Sequence, residues 1–146
     1  MIEYTIIQDT REQKPLFKNN AHTKAETGTL KTGDYSIKGH TDKISVERKS
    51  LADLFGTLGK GHARFKKELT RSLALEYFAI VVEGSYRDIR DKDFEGSDHT
   101  KMKGHVIIQI LFTLHLKYGI NFFMASDRNE SKSIIKSLFE AYVKTI

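Results

Sequence analysis

Residues 33–53 read GDYSIKGHTDKISVERKSLAD, and the spacing inside this stretch sets the frame for the rest of the chain. Tyr35 to Lys38 and Lys43 to Lys49 are short runs of alternating apolar and polar residues, joined by Gly39, His40, Thr41 and Asp42. That pattern predicts a β-hairpin. With the loop placed there, Lys38 is expected opposite Lys43, Ile37 opposite Ile44, Tyr35 opposite Val46 and Asp34 opposite Glu47. Side chains alternate across a strand, so Tyr35, Ile37, Ile44 and Val46 share one face while Asp34, Ser36, Ser45, Glu47 and Lys49 share the other. The apolar face is predicted to enter the core.

Two carboxylates directly opposite each other on neighbouring strands repel unless a cation sits between them. The hairpin therefore predicts a divalent ion, with Asp34 and Glu47 as hard oxygen ligands of the kind that suits Mg²⁺ or Mn²⁺. Lys49, two residues past Glu47 on the same face, is placed to orient or deprotonate a water and to offset charge building on phosphorus. This is the logic of phosphodiester hydrolysis. Without Asp34 opposite them, Glu47 and Lys49 would read as an exposed ion pair. Arg48 points to the opposite face and reads as a supporting or sheet-packing residue, with only its backbone carbonyl able to reach the metal. Asp53 has two readings: it answers Ser50 in a capping box, or it supports the active site.

Upstream, Tyr4 to Asp9 is short and β-rich, and Lys14 to Thr27 is polar with Pro15, Asn19 and Asn20; a strand followed by a loop is expected. Downstream, Ser50 opens a helix to about Leu58, Gly56, Gly59 and Gly61 break it, and a second helix runs from about His62 to Leu75. YFAIVVEG (77–84) reads as a buried strand, Asp91 to Gly104 as a charged mobile loop, and Val106 to Tyr118 as a helix that is apolar around most of its circumference. INFFMA (120–125) is a last strand. The final helix starts near Ser126 or Asp127 and sets Ile134, Leu138, Phe139, Tyr142 and Val143 on one face. This order predicts an α/β fold with a mixed central sheet flanked by helices.

A chain of 146 residues fits one domain. It has no cysteine, which excludes disulfides, thiolate metal ligands and a cysteine nucleophile. The N-terminus MIEYTIIQD lacks a basic leader segment, and the apolar run Val106 to Leu116 is interrupted by Gln109 and His115 and too short to span a bilayer. A soluble intracellular protein, cytoplasmic or nucleoid-associated and without a membrane partner, is expected. The net charge of +5 suits a polyanion. Lys60, Arg64, Lys66, Lys67 and Arg71 are opposed only by Glu68, and this segment is expected either to contact DNA phosphates or to be a solvated helix face. GTLGKG (56–61) lacks the spacing of a phosphate-binding loop, and the histidines lack ligand spacing.

The pattern GD, a hairpin, ERK, three residues and D resembles the signature of the XPF-type structure-specific DNA endonucleases, a branch of the PD-(D/E)xK nuclease superfamily. Here it is carried by Gly33, Asp34, Glu47, Arg48, Lys49 and Asp53. The likeness extends to DTRE (9–12), similar to the family's DxRE element, and through HARFKKEL (62–69) to IVVEG (80–84). It implies a restriction-endonuclease-like fold and a single nuclease domain over residues 1–146, without the helix-hairpin-helix domains common in the family. It also implies a Mg²⁺ or Mn²⁺ centre in which Asp9 joins Asp34, Glu47 and Lys49, with Arg11, Arg48 and Asp53 in support. The implied activity is a metal-dependent DNA endonuclease acting at branched, flap or junction structures. A non-catalytic DNA-binding or scaffold module of the same fold, and a nuclease acting on RNA or linear ends, stand as alternatives. Family members dimerise through this domain. Helix Val106 to Tyr118, with Phe112 and Leu116 turned away from Ile107, Leu111 and Leu114, and the final helix, with Ile135, Phe139, Tyr142 and Ile146, are expected to form a homodimer surface unless one subunit covers both.

Overall fold

The predicted hairpin stands in the middle of a six-stranded sheet. The strands are β1 (Thr5–Asp9), β2 (Lys24–Gly28), β3 (Tyr35–Ile37), β4 (Ile44–Ser50), β5 (Tyr77–Glu83) and β6 (Asn121–Ala125), in the order β2-β1-β3-β4-β5-β6. This is a computed structural model and describes residues 3–146. β1 pairs parallel with β2 and antiparallel with β3; β3 and β4 are antiparallel; β4, β5 and β6 run parallel. The chain thus has the mixed α/β fold that its pattern of elements predicts. Tyr35 pairs with Val46, in the expected register. At the hairpin's end the pairing changes partner, because the Lys38 N–H donates to Thr5 of β1 and the His40 carbonyl accepts from Lys43 and Ile44.

Strand β2 lies within the stretch expected to be a loop. KAETG buries only Ala25, so it has no apolar alternation to read; its backbone pairing with β1 decides its state. The connection leading to it is held by buried Leu16 and Phe17, and the Gln8 side chain both donates to and accepts from the Phe17 backbone at 2.9 Å.

Helices α1 (Leu51–Leu58), α2 (His62–Ser72), α3 (Tyr86–Arg90) and α4 (Gly104–Tyr118) cover one face of the sheet, and α5 (Arg128–Thr145) covers the other. β5 shows why both faces need cover: Phe78, Ile80 and Val82 pack toward α1, α2 and α4, while Ala79 and Val81 pack toward α5. Ser50 caps α1 and Asp127 caps α5. Helix α2 stops at Ser72, short of the expected Leu75. Helix α3, absent from the sequence expectation, starts with a capping box formed by Ser85 and Asp88. The segment expected to be a mobile loop is anchored by Phe94, whose ring lies 4.7 Å from that of Phe55. A β-carbon at Gly104 would collide with the Ile89 carbonyl, so the start of α4 can press against the end of α3 only with glycine there. Among the described residues no helix is long and apolar enough to cross a membrane.

The expected homodimer surface needs correction. Helices α4 and α5 lie on opposite faces of the sheet, and Ile135 and Phe139 are fully buried against β5 and its neighbours. The sheet has two apolar faces, and the inner side of α5 is consumed in covering one of them. Of the residues expected on that surface, Phe112 at 47% and Leu116 at 84% on the outer side of α4, and Ile146 at 66% just past α5, remain exposed. Phe139→Ala should therefore lower unfolding free energy by about 3–5 kcal/mol, measured by urea denaturation, whereas Phe112→Ala in the same assay should stay within about 1 kcal/mol.

Candidate active site

The site begins at a turn that only glycine fits. Gly33 has φ +82°, and a β-carbon there would strike Ser45 Oγ on the neighbouring strand. This tight approach brings Asp34 against β4. The Asp34 N–H donates to Val46 O at 2.9 Å, its carbonyl accepts from Asp9 N at 2.8 Å, and its Oδ2 accepts from Arg48 N at 2.9 Å. Asp34 is thus clamped between β1 and β4. Burial pushes its carboxyl up to about 6; the Arg48 N–H works against that rise and the Glu12 charge adds to it.

β4 places Glu47 on the same face. Glu47 is 8% exposed, its Oε2 lies 3.5 Å from Lys49 Nζ, and that oxygen has no hydrogen-bond partner. Lys49 Nζ stands 5.9 Å from the centroid of the Phe65 ring on α2. One turn further along α2, Glu68 is half-buried on the same side of the helix, and its carboxyl acts on Glu47. Burial first, and then this second carboxyl, raise Glu47 well above the ordinary carboxylate value, with Lys49 opposing. In the sequence Glu68 stands only as a lone acid among cations. Its inward position is legible from spacing, since Phe65, Glu68, Leu69 and Ser72 follow the i, i+3, i+4, i+7 stripe of a buried helix face.

Asp9, at the end of β1, lies next to Asp34, whose carbonyl accepts from its N–H. It is 2% exposed, its Oδ1 accepts from Leu30 N at 2.8 Å, and its Oδ2 accepts from Arg11 N at 3.2 Å and Arg11 Nε at 2.7 Å. Burial opposes the charge, but the bonds from Arg11 and Leu30 outweigh it and hold the carboxyl below its ordinary value. Both oxygens are therefore engaged within the chain. Arg11 is 70% exposed, is anchored further by Nη2 on Leu30 O at 2.9 Å, and lies in the fields of Asp34 and Glu68.

The Arg48 side chain lies on the opposite face. Its Nη1 donates to Glu83 Oε1 at 2.9 Å and its Nε is 3.6 Å from Glu12 Oε2. Ser131 of α5 donates to the other Glu83 oxygen, and the Tyr35 hydroxyl donates to Glu12. Only the Arg48 main chain reaches Asp34. Asp53 is exposed, and its backbone N–H donates to Ser50 Oγ at 3.1 Å, the geometry of the capping reading. Lys60, Arg64, Lys66, Lys67 and Arg71 are all exposed. At about 100° per residue, Arg64, Lys67 and Arg71 fall in one stripe bordering Glu68, with Lys66 on the far flank of the buried side.

A family model described as the ERCC4 domain matches residues 8–138. Two solved structures of XPF from Aeropyrum pernix share the fold: one is 24% identical with a TM-score of 0.71, covering 94% of this chain and 61% of that one. The other, a complex with DNA, is 23% identical with a TM-score of 0.73, covering 98% of this chain and 66% of that one. The chain thus spans less than two thirds of the length of either. No curated protein matches the sequence.

The raised Asp34 value has a consequence for stability. A carboxyl ordinarily near 3.8 that titrates at about 6 in the folded protein makes the folded state the better proton binder, so its ionisation costs stability as pH rises between those values. In metal-free buffer, Asp34→Asn should be more stable than the wild type at pH 7 by roughly 1–3 kcal/mol, and the gain should vanish below about pH 4. Urea denaturation at both pH values checks this; an equal difference at the two would rule out ionisation as its source.

Proposed function

The chain belongs to the ERCC4 domain family, and from that premise we propose that it is a metal-dependent endonuclease that hydrolyses phosphodiester bonds in DNA. The observation that carries the reading is the Glu47 carboxylate, more than nine-tenths buried with one oxygen lacking a hydrogen bond, on the face shared with Asp34. A buried charge without a partner costs several kcal/mol. Hard carboxylate oxygens facing a shared space fit Mg²⁺ or Mn²⁺, and Asp34 and Glu47 are the residues that would hold the ion. When bound, such an ion supplies a water of lowered pKa and neutralises phosphate charge.

The chain's own residues do the rest. Lys49, held between Glu47 and the Phe65 ring, offers an ammonium to the charge that grows on the phosphoryl oxygens. Arg11, fixed by Asp9 and the Leu30 carbonyl, presents its exposed guanidinium to a backbone phosphate. Asp9 acts by positioning Arg11. Arg48 holds Asp34 through its N–H and locks β4 through Glu83 and Glu12, and Asp53 helps set the helix start just after Lys49. Arg64, Lys67 and Arg71, with Lys60 and Lys66 alongside, position DNA through its phosphates without reading bases. The proposed substrates are branched, flap or junction structures, and the region acts as one nuclease domain working inside the cell.

Assembly as a homodimer is supported by the outer side of α4, where Phe112 and Leu116 are exposed and the Phe112 ring lies 5.9 Å from that of Tyr86. It is supported also by β6, an apolar strand at the edge of the sheet. Phe112→Glu with Leu116→Glu should turn a micromolar dimer into a folded monomer in sedimentation; a monomeric wild type would overturn the assembly.

On a panel of flaps, forks, junctions, duplex and single strands, Mg²⁺ or Mn²⁺ should support cleavage and excess EDTA should stop it. Asp34→Asn, Glu47→Gln and Lys49→Ala should each slow single-turnover cleavage by at least about 100-fold. Lys49→Ala should leave metal affinity near the wild-type value. Binding of DNA with no cleavage under any of these conditions would identify a scaffold module instead.

A further inference from the structure

The exposed cations of the chain are not confined to α2. Strands β1, β4, β5 and β6 run in one direction, because β3 is antiparallel to both β1 and β4, so their C-terminal ends share one edge of the sheet. Asp9, Glu47 and Lys49 lie toward that edge, and the loop after β1 and the start of α5 both leave from it. Leu16 and Phe17 of that loop are buried in the cluster beneath α5. Arg128 Nη2 donates to the Lys14 and Pro15 carbonyls at 2.8 and 2.9 Å, and Lys132 Nζ stands 6.0 Å from the centroid of the Phe17 ring. These contacts gather Lys14, Lys18, Arg128 and Lys132 on one surface. All four are exposed, and none makes an ion pair among the described residues. The acids nearby are already engaged: Asp127 Oδ1 accepts from Glu130 N and Glu130 Oε1 from Ser126 N, both at 2.8 Å, and Glu12 accepts from the Tyr35 hydroxyl. Unpaired cations held together gain from a polyanion. Arg128 is prepared for a phosphate, because two carbonyls fix Nη2 in advance and leave Nε and Nη1 to donate outward.

We propose that Lys14, Lys18, Arg128 and Lys132 form a second phosphate-binding surface, which holds a second duplex arm of a branched DNA while the α2 stripe holds the first. This rests on the reading of the chain as a nuclease acting on branched DNA. The stripe of Arg64, Lys67 and Arg71 belongs to the face of the sheet covered by α2, and the new surface to the face covered by α5. The edge toward which Glu47 and Lys49 lie stands between them. Two arms diverging from a branch follow that geometry and bring the branch point to the site of hydrolysis. The contacts are to phosphates, so the surface adds affinity for a shape and no preference for bases.

Fluorescence anisotropy in EDTA, where no cleavage intervenes, tests this with a linear duplex, a fork with two double-stranded arms and a fork whose second arm is single-stranded. The test variant is Lys14→Gln with Lys18→Gln and Lys132→Gln; Arg128 stays in place because it anchors the loop. The control is Lys24→Gln with Lys43→Gln and Lys144→Gln, which removes the same charge from exposed lysines at the start of β2, just before β4 and near the end of α5. Circular dichroism confirms that both are folded. The test variant should bind the double-stranded fork about 10-fold or more weakly, with the salt slope of log K smaller by about 2–3, and the linear duplex less than about threefold more weakly. The control should lose less than about threefold on any of these DNAs. Wild-type fork affinity in the test variant overturns the proposal. An equal loss on fork and duplex, or an equal loss in the control, reduces the surface to general attraction and overturns it too. A loss confined to the fork with a single-stranded arm overturns the duplex as occupant. Failure of the wild type to bind any of the three DNAs overturns instead the reading of the chain as a DNA nuclease.

Discussion

The two-residue alternation of β4 is the constraint on which the rest depends. Its pairing with β3 at Tyr35 and Val46, and with β5 from Ile44 to Ser50, sends Glu47 and Lys49 to the face under α2 and Arg48 to the face under α5. A slip of one residue would put the guanidinium among the carboxylates and Glu47 against the core of α5. Against such a slip stand interactions on the far face: Arg48 with Glu83 and Glu12, Glu83 with Ser131, and Glu12 with Tyr35, whose hydroxyl also accepts from Leu16 N at 3.1 Å. These contacts tie β4 to α5, to β3 and to the loop after β1. The charged side chain between the two site residues thus holds the strand that presents them.

Asp9 and Glu47 show how similar burial can lead to opposite chemistry. They are 2% and 8% exposed, so both lose most of their hydration. Asp9 recovers it through three N–H bonds, and its carboxyl is held below the ordinary value. Glu47 has an oxygen with no donor and a second carboxyl nearby, and it is raised. The first arrangement stabilises the loop that carries Arg11. The second leaves unsatisfied acceptor capacity in the space that Asp34 also faces, which is where an electropositive ligand gains most. Stability given up at Asp34 and Glu47 is offset by the core clusters on both faces of the sheet.

Much of this was legible from local pattern. The loop length and alternation in residues 33–53 defined the hairpin, the pairing of Tyr35 with Val46 and the face shared by Asp34, Glu47 and Lys49, because strand geometry has a period of two and needs no distant information. Apolar runs located β5, β6, α4 and α5 to within a few residues. What depended on tertiary structure was every choice made by contacts far apart in sequence. KAETG became β2 through hydrogen bonds to β1, which its polar side chains do not announce. Helices α4 and α5 were assigned to opposite faces because β5 is apolar on both, so the amphipathic side of α5 faces inward and not toward a second copy. The Asp9 carboxyl is engaged by donors from Leu30 and Arg11, and Glu68 is turned toward the Glu47 side of the sheet by the packing of Phe65 beneath Lys49. Sequence periodicity states which side of an element a residue occupies; what lies across from that side is decided by the packing of the whole chain.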